Sequence, residues 1–102
     1  MRAICDILEA AREAVPGALT VGDSTQPVFA GNLCYDHDRT SGWFNTAKGF
    51  GAPGYGVPEA IGAAFAAPDA PVICLVGDGG AQFCLPEQMV AVDESMPIIF
   101  VI

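Results

Sequence analysis

Basic residues are scarce: four Lys+Arg and one His stand against twelve Asp+Glu in 102 residues, a formal charge of -8. Such a surface repels phosphodiester backbones and anionic lipid, which argues against nucleic-acid or membrane-surface partners. It does not argue against a small phosphorylated ligand, which backbone N–H groups and a cation can hold whatever the net charge. No apolar run approaches the ~18 residues of a membrane span. The N-terminus lacks the charged start, apolar stretch and cleavage site of a signal peptide, so cytoplasm is the expected location. Cys5, Cys34, Cys74 and Cys84 form no C-x-x-C pair and do not gather around His37, so four reduced, structural thiols are expected. There is no Walker loop, which leaves a free-standing nucleotide-binding protein poorly supported. Internal repeats and low-complexity linkers are also missing.

What is present is apolar. Hydrophobic residues make up 52%, a high share for a short chain and one that suits some apolar surface facing other protein. Length allows one domain, or part of a larger one, over residues 1–102. Residues 1–14 carry Ile4, Ile7, Leu8 and Ala11 on one helical face, and Val15-Pro16-Gly17 stops that helix. Residues 18–21 read as a buried strand, after which Asp23 or Ser24 caps a short helix through Ala30. Residues 32–45 are polar and irregular, and residues 48–56 form a glycine loop, KGFGAPGYG. A helix follows over residues 58–67, with Pro58 in its first turn. Residues 71–76 (PVICLV) form a strand buried on both faces. A further helix is expected over residues 85–93 and a last strand over residues 97–102. This alternation predicts an α/β fold, a parallel sheet with helices on both faces. Ligands of such sheets bind at the carboxyl ends of strands, where residues 22–26 and 77–81 lie.

Gly77-Asp78-Gly79-Gly80-Ala81 is the first motif with chemical content. A carboxylate at a strand end, followed by glycines entering a helix, suits a diphosphate held on backbone N–H groups with a divalent cation on the carboxylate. The same five residues also make an ordinary tight turn in which Asp78 caps the next helix. Asp36-His37-Asp38 reads either as a metal or acid–base cluster or as a solvated loop. Trp43 and Phe44 read as core packing ahead of substrate stacking.

The order of motifs is more specific than any one of them. Gly51-Ala52-Pro53-Gly54-Tyr55-Gly56-Val57-Pro58, then the apolar strand, then Gly77-Asp78-Gly79, then Pro86-Glu87-Gln88, resembles the cofactor-binding core of thiamine-diphosphate-dependent enzymes. The similar group is that of acetolactate synthase, benzoylformate decarboxylase and pyruvate oxidase, and Val21-Gly22-Asp23-Ser24-Thr25-Gln26 resembles the first strand-end loop of its C-terminal, diphosphate-binding domain. The resemblance implies binding of thiamine diphosphate and magnesium within a 2-oxo acid decarboxylase or carboligase. It implies that Asp78 is a magnesium ligand and that the N–H groups of Gly79, Gly80 and Ala81 face the diphosphate, assisted by Thr25 and Gln26. Ordinary helix capping is the alternative for the last two. Gly51 would offer its carbonyl to the amino group of the pyrimidine ring. Tyr55 matches an aromatic position of the family and is expected to pack.

Departures from the family pattern are equally informative. Pro53 stands where the family has a large apolar residue whose backbone N–H meets the pyrimidine, and proline has no N–H to offer. It either wedges the bent cofactor with one contact fewer or simply stiffens the loop. The family's second magnesium side chain, an Asn, falls just beyond Ile102. The Glu that activates the cofactor comes from a pyrimidine-binding domain, which a homo-oligomer or companion chain would supply. The expectation is therefore that this chain alone turns over no 2-oxo acid. The alternative is an inert, truncated remnant that acts at most as a weak cofactor- or partner-binding module.

Overall fold

The computed structural model describes residues 1–37 and 39–102. Four strands form one fully parallel sheet in the order β2-β1-β3-β4. Strand β1 (Leu19–Gly22) and strand β3 (Val72–Leu75) are central and buried at every position. Each is flanked on its outer side by a strand with exposed residues, β2 (Trp43–Asn45) and β4 (Ile98–Val101). The continuous apolar runs predicted this arrangement, because a strand covered on both faces has no polar side to alternate with.

The two faces have separate cores. Leu19, Val21, Val72 and Cys74 pack with Ala60 and Ala64 of helix α3 (Gly56–Ala66). Small residues on α3 let it lie close to the sheet. On the opposite face Ile73 and Leu75 pack with Leu8 of α1 (Arg2–Ala14), Val28 of α2 (Gln26–Cys34), Tyr35 and Trp43. Helices therefore cover both faces, as expected for parallel strands joined by crossovers. No helix among the described residues is long and apolar enough to cross a membrane.

The departures from expectation have local causes. Helix α2 continues past Ala30 to Cys34, where Asn32 reaches the neighbouring strand. Three residues of the segment expected to be irregular form β2, paired with β1 through Thr20↔Trp43, Val21↔Phe44 and Gly22↔Asn45. So short a strand has no readable period, and its side chains fix it instead. The Trp43 indole N–H donates to Asn32 Oδ1 at 2.8 Å, and the amides of Asn32 and Asn45 bond reciprocally at 3.0 and 2.9 Å. Strand alternation turns Trp43 inward and leaves Phe44 exposed, so only the tryptophan fulfils the expected core role. After β3 the chain enters α4 (Asp78–Cys84) at once, makes a 3₁₀ turn at Leu85–Glu87 and continues as α5 (Gln88–Asp93). One helix was expected from Leu85. Pro86 cannot continue an α-helical ladder, and it divides the segment in two.

The cysteines are not all free. Cys5 of α1 and Cys34 of α2 are joined as a disulfide, with Cα atoms 6.1 Å apart. Their sequence separation of 29 gave no motif, and the packing of α1 on α2 brings them together. Cys74 and Cys84 are free thiols, as expected.

Candidate functional site

In the order β2-β1-β3-β4, the chain leaves β1 toward one side of the sheet and returns to β3 on the other. The gap between the carboxyl ends of β1 and β3 is thus the switch point at which an open parallel sheet leaves a crevice. Residues 23–26 form one lip and residues 77–81 the other. The register sets Gly22 opposite Leu75, so both loops begin within a residue or two of the same level. A Cβ placed on Gly77 would lie 3.2 Å from the Thr25 hydroxyl oxygen, which brings that hydroxyl beside the turn into α4.

On the β3 lip, Gly77 is the N-cap of α4 and makes no side-chain cap. Asp78 belongs to the first helical turn and its carboxylate is exposed, so it does not cap the helix. First-turn N–H groups have no acceptor within their own helix. Those of Asp78, Gly79 and Gly80 are in this position. Ala81 differs, because it is buried and its N–H donates to the Gly77 carbonyl at 2.8 Å. Of the three amides expected to face a phosphate, Gly79 and Gly80 remain outside the helix ladder. A Cβ on Gly79 would meet nothing within 4 Å, so the surface above that amide is open to a ligand.

On the β1 lip, Thr25 is the N-cap of α2 but makes no side-chain cap bond, and Gln26 is exposed at the first position of the helix. Neither Asp23 nor Ser24 caps α2, contrary to expectation. Asp23 is completely buried. Its carboxylate accepts the Ser24 N–H at 2.6 Å, the Gly54 N–H at 2.8 and 3.1 Å, and the Gly56 N–H at 3.1 Å. The Ser24 hydroxyl donates to the Gly51 carbonyl at 2.9 Å. Sequence reasoning missed this pair. The signal was available: Asp23, Ser24 and Thr25 are three capping residues in a row for a helix that takes only one N-cap.

The glycine loop between β2 and α3 forms the third wall. Gly51 and Gly54 have φ of +73° and +95°, which an L side chain rarely adopts. A cleft of about 280 Å³ runs along the loop, lined by Asn45, Thr46, Phe50, Gly51 and Tyr55 among others. Pro53 is exposed at the loop's tip. Tyr55, expected to pack, is 59% exposed, and Phe50 is 99% exposed. Below the loop, burial and then the Asp23 carboxylate raise the Glu59 carboxyl above its usual range. The buried Cys74 thiol is pushed up to about 12 by burial first, then by Asp23 and Glu59.

Asp36 and His37 make no observed contact with this crevice. Asp36 is exposed and its backbone carbonyl accepts Arg12 Nη1, while Asp38 lies outside the described residues. Among the described residues no three of His, Cys, Asp and Glu gather as a metal centre.

Residues 22–102 match the family described as "Thiamine pyrophosphate enzyme, C-terminal TPP binding domain". Acetolactate synthase isozyme 3 large subunit of Escherichia coli K12 is 32% identical over 84 residues, 82% of this chain and 14% of that protein. The probable 2-ketoarginine decarboxylase AruI of Pseudomonas aeruginosa is 36% identical over 89 residues, 86% of this chain and 16% of that protein. Among solved structures, the thiamine diphosphate-dependent 4-hydroxybenzoylformate decarboxylase of Rhodococcus jostii RHA1 superposes with a TM-score of 0.78 at 28% identity. That superposition covers 95% of this chain and 18% of the decarboxylase. The chain thus spans about a sixth of the length of these relatives. The match covers the β1 lip, the glycine loop and the β3 lip alike, and the chain belongs to the thiamine pyrophosphate enzyme family through its C-terminal cofactor-binding domain.

Proposed function

We propose that this chain binds thiamine diphosphate with magnesium in the β1–β3 crevice, as the diphosphate-binding portion of a 2-oxo acid decarboxylase or an acetolactate synthase-like enzyme. The observation that carries the proposal is the open approach above Gly79, where a Cβ would meet nothing within 4 Å, next to first-turn amides with no helical acceptor. In this reading Gly79 and Gly80 hold the diphosphate by their N–H groups, with Ala81 packed behind them. Thr25 and Gln26 bind from the other lip, and Asp78 supplies the carboxylate for the cation. Gly51 presents its carbonyl to the pyrimidine amino group, and Pro53 sits under the bend of the cofactor. When bound, thiamine diphosphate supplies the carbanion stabilisation that 2-oxo acid chemistry needs, and the protein's part is to hold and orient it. Homologous or companion subunits are the proposed source of the pyrimidine-binding domain, and the cytoplasm the proposed location.

A second reading, a weak cofactor-binding module without turnover of its own, draws support from the cation site. Asp78 is joined there by no cluster of further ligating side chains among the described residues. A six-coordinate cation would then rely on phosphate oxygens and water. Both readings give magnesium-dependent binding of thiamine diphosphate, of roughly millimolar affinity or about 4 kcal/mol. Calorimetry with magnesium tests this by comparing thiamine diphosphate with thiamine. Tighter binding of the diphosphate is expected, and equal affinity would show that the phosphate cradle is not used. Release of carbon dioxide from 2-oxo acids by the chain combined with a companion carrying the pyrimidine-binding domain, abolished by Asp78→Ala, separates the first reading from the second.

A further inference from the structure

We infer that Asp23 and Ser24 are positioning residues that grip the glycine loop from both sides, with Ser24 fixing the Gly51 carbonyl that faces the cofactor's pyrimidine ring. The inference rests on the function proposed above and adds a role that no cofactor contact requires. Neither side chain does what its place in the sequence suggests. Both precede α2, and both turn away from its free N–H groups, forgoing the ordinary capping interaction. They reach instead across about thirty residues to the loop that opens α3.

The two arms have complementary chemistry. The carboxylate can only accept, and it takes the N–H groups of Gly54 and Gly56. The hydroxyl can donate, and it donates a hydrogen bond to the carbonyl of Gly51. Thr46 Oγ1 stands 3.5 Å from the same hydroxyl. A carbonyl oxygen has two lone pairs, so a bond from Ser24 fixes its direction and leaves one lone pair for a second donor. Gly51 has no side chain to hold it, and with its N–H bonded to the Thr46 carbonyl at 2.9 Å the Ser24 bond anchors its second polar group.

The carboxylate is also placed where disorder in the loop would be felt. It is fully buried with no ion pair recorded among the described residues, so its three N–H donors are what offset its desolvation. A Cβ on Gly80 would lie 3.0 Å from Asp23 Oδ2, so the same group also abuts the β3 lip. One side chain thus touches both lips and the loop, and it sets their spacing before any ligand arrives.

The test uses the 102-residue chain with Ser24→Ala, Ser24→Thr and Asp23→Asn. Binding of magnesium thiamine diphosphate and of magnesium inorganic diphosphate is measured by calorimetry. Exchange of the Gly54 and Gly56 amides is followed by mass spectrometry without ligand. Ser24→Ala should weaken thiamine diphosphate roughly three- to ten-fold, the effect of one hydrogen bond, and leave inorganic diphosphate within about two-fold. Ser24→Thr, which keeps the hydroxyl, should restore the affinity for thiamine diphosphate. Asp23→Asn should speed exchange at Gly54 and Gly56 by at least about ten-fold relative to β1 and β3 amides. Equal weakening of both probes by Ser24→Ala, or no effect on either, overturns the role of Ser24 even if Asp23→Asn fails to fold. If the unaltered chain binds neither probe, the proposed function falls and takes the ligand arm with it. Unprotected Gly54 and Gly56 amides in the unaltered chain would overturn the clamp itself.

Discussion

Gly54→Ala should be among the most damaging single substitutions in the chain, and the reason separates two effects that usually occur together. A methyl group at Gly54 would stand 2.8 Å from Phe83 Cβ and 3.3 Å from Phe83 Cγ, and its backbone has φ of +95°. The left-handed conformation costs an L residue about 1–2 kcal/mol. The contact is with a Cβ, which no rotamer change can move aside, and overpacking of this kind costs about 1–3 kcal/mol. The sum, roughly 2–5 kcal/mol, is a large part of the ~5–15 kcal/mol that a domain of this size has in total. Gly51→Ala is the control. It has the same kind of backbone, φ of +73°, but a Cβ there would meet nothing within 4 Å, so only the conformational cost applies. Urea unfolding of both variants should place the midpoint of Gly54→Ala below that of Gly51→Ala, by an amount equal to the contact energy divided by the m-value. Equal midpoints would refute the reasoning, because they would mean that α4 shifts freely and that Phe83 does not pin it to the loop.

Three further outcomes are expected. Gly79→Ala adds a methyl in open space on a helix, so it should leave folding unharmed or slightly improved while weakening diphosphate binding, as urea unfolding and calorimetry would show. The Cys74 thiol is held at about 12 against an ordinary 9.0, so the unfolded chain ionises first. Stability present below pH 9 should fall as pH rises toward 12, by up to about 1.4 kcal/mol per unit, and Cys74→Ala should flatten that fall in urea midpoints. Ile99 and Val101 are about half exposed on β4, whose outer edge pairs with no other strand among the described residues. The chain should therefore self-associate at micromolar concentration, and Ile99→Lys should reduce the associated fraction seen by sedimentation. The charge of -8 opposes this only weakly, being screened within about 8 Å at physiological salt.

The central sheet was legible because burial on both faces writes an unbroken apolar run. PVICLV could be placed as a strand without knowing any neighbour. Strand β2 was illegible for the opposite reason. Three residues carry no period, and what makes Trp43–Asn45 a strand is pairing with β1 and the amide bracket from Asn32, both tertiary. The turn from β3 into α4 was placed from its residue types, Gly-Asp-Gly-Gly after an apolar run, although the same residues suit an ordinary tight turn as well as a ligand site. The Asp23–Ser24 grip did not, because local rules assign such residues to the nearest helix, and only the fold shows that Thr25 has already taken that place. The Cys5–Cys34 bond was hidden likewise, being set by the packing of two helices rather than by spacing.

The pairing of β1 with β3 has a consequence for when the crevice exists at all. Leu19 lies opposite Val72, so the two lips meet only after more than half the chain has been looped out and returned. Contacts of such long sequence separation form late and slowly, in milliseconds to seconds for folds dominated by them. No partly folded species that lacks this pairing can offer both lips to a ligand. Thiamine diphosphate, if it binds as proposed, therefore acts on the finished sheet alone. At ten times its dissociation constant it would add about 1.4 kcal/mol to the folded state and nothing to its precursors. Ligand-induced slowing of unfolding, with the refolding rate unchanged, would be the kinetic mark of a site assembled by the last strand pair to close.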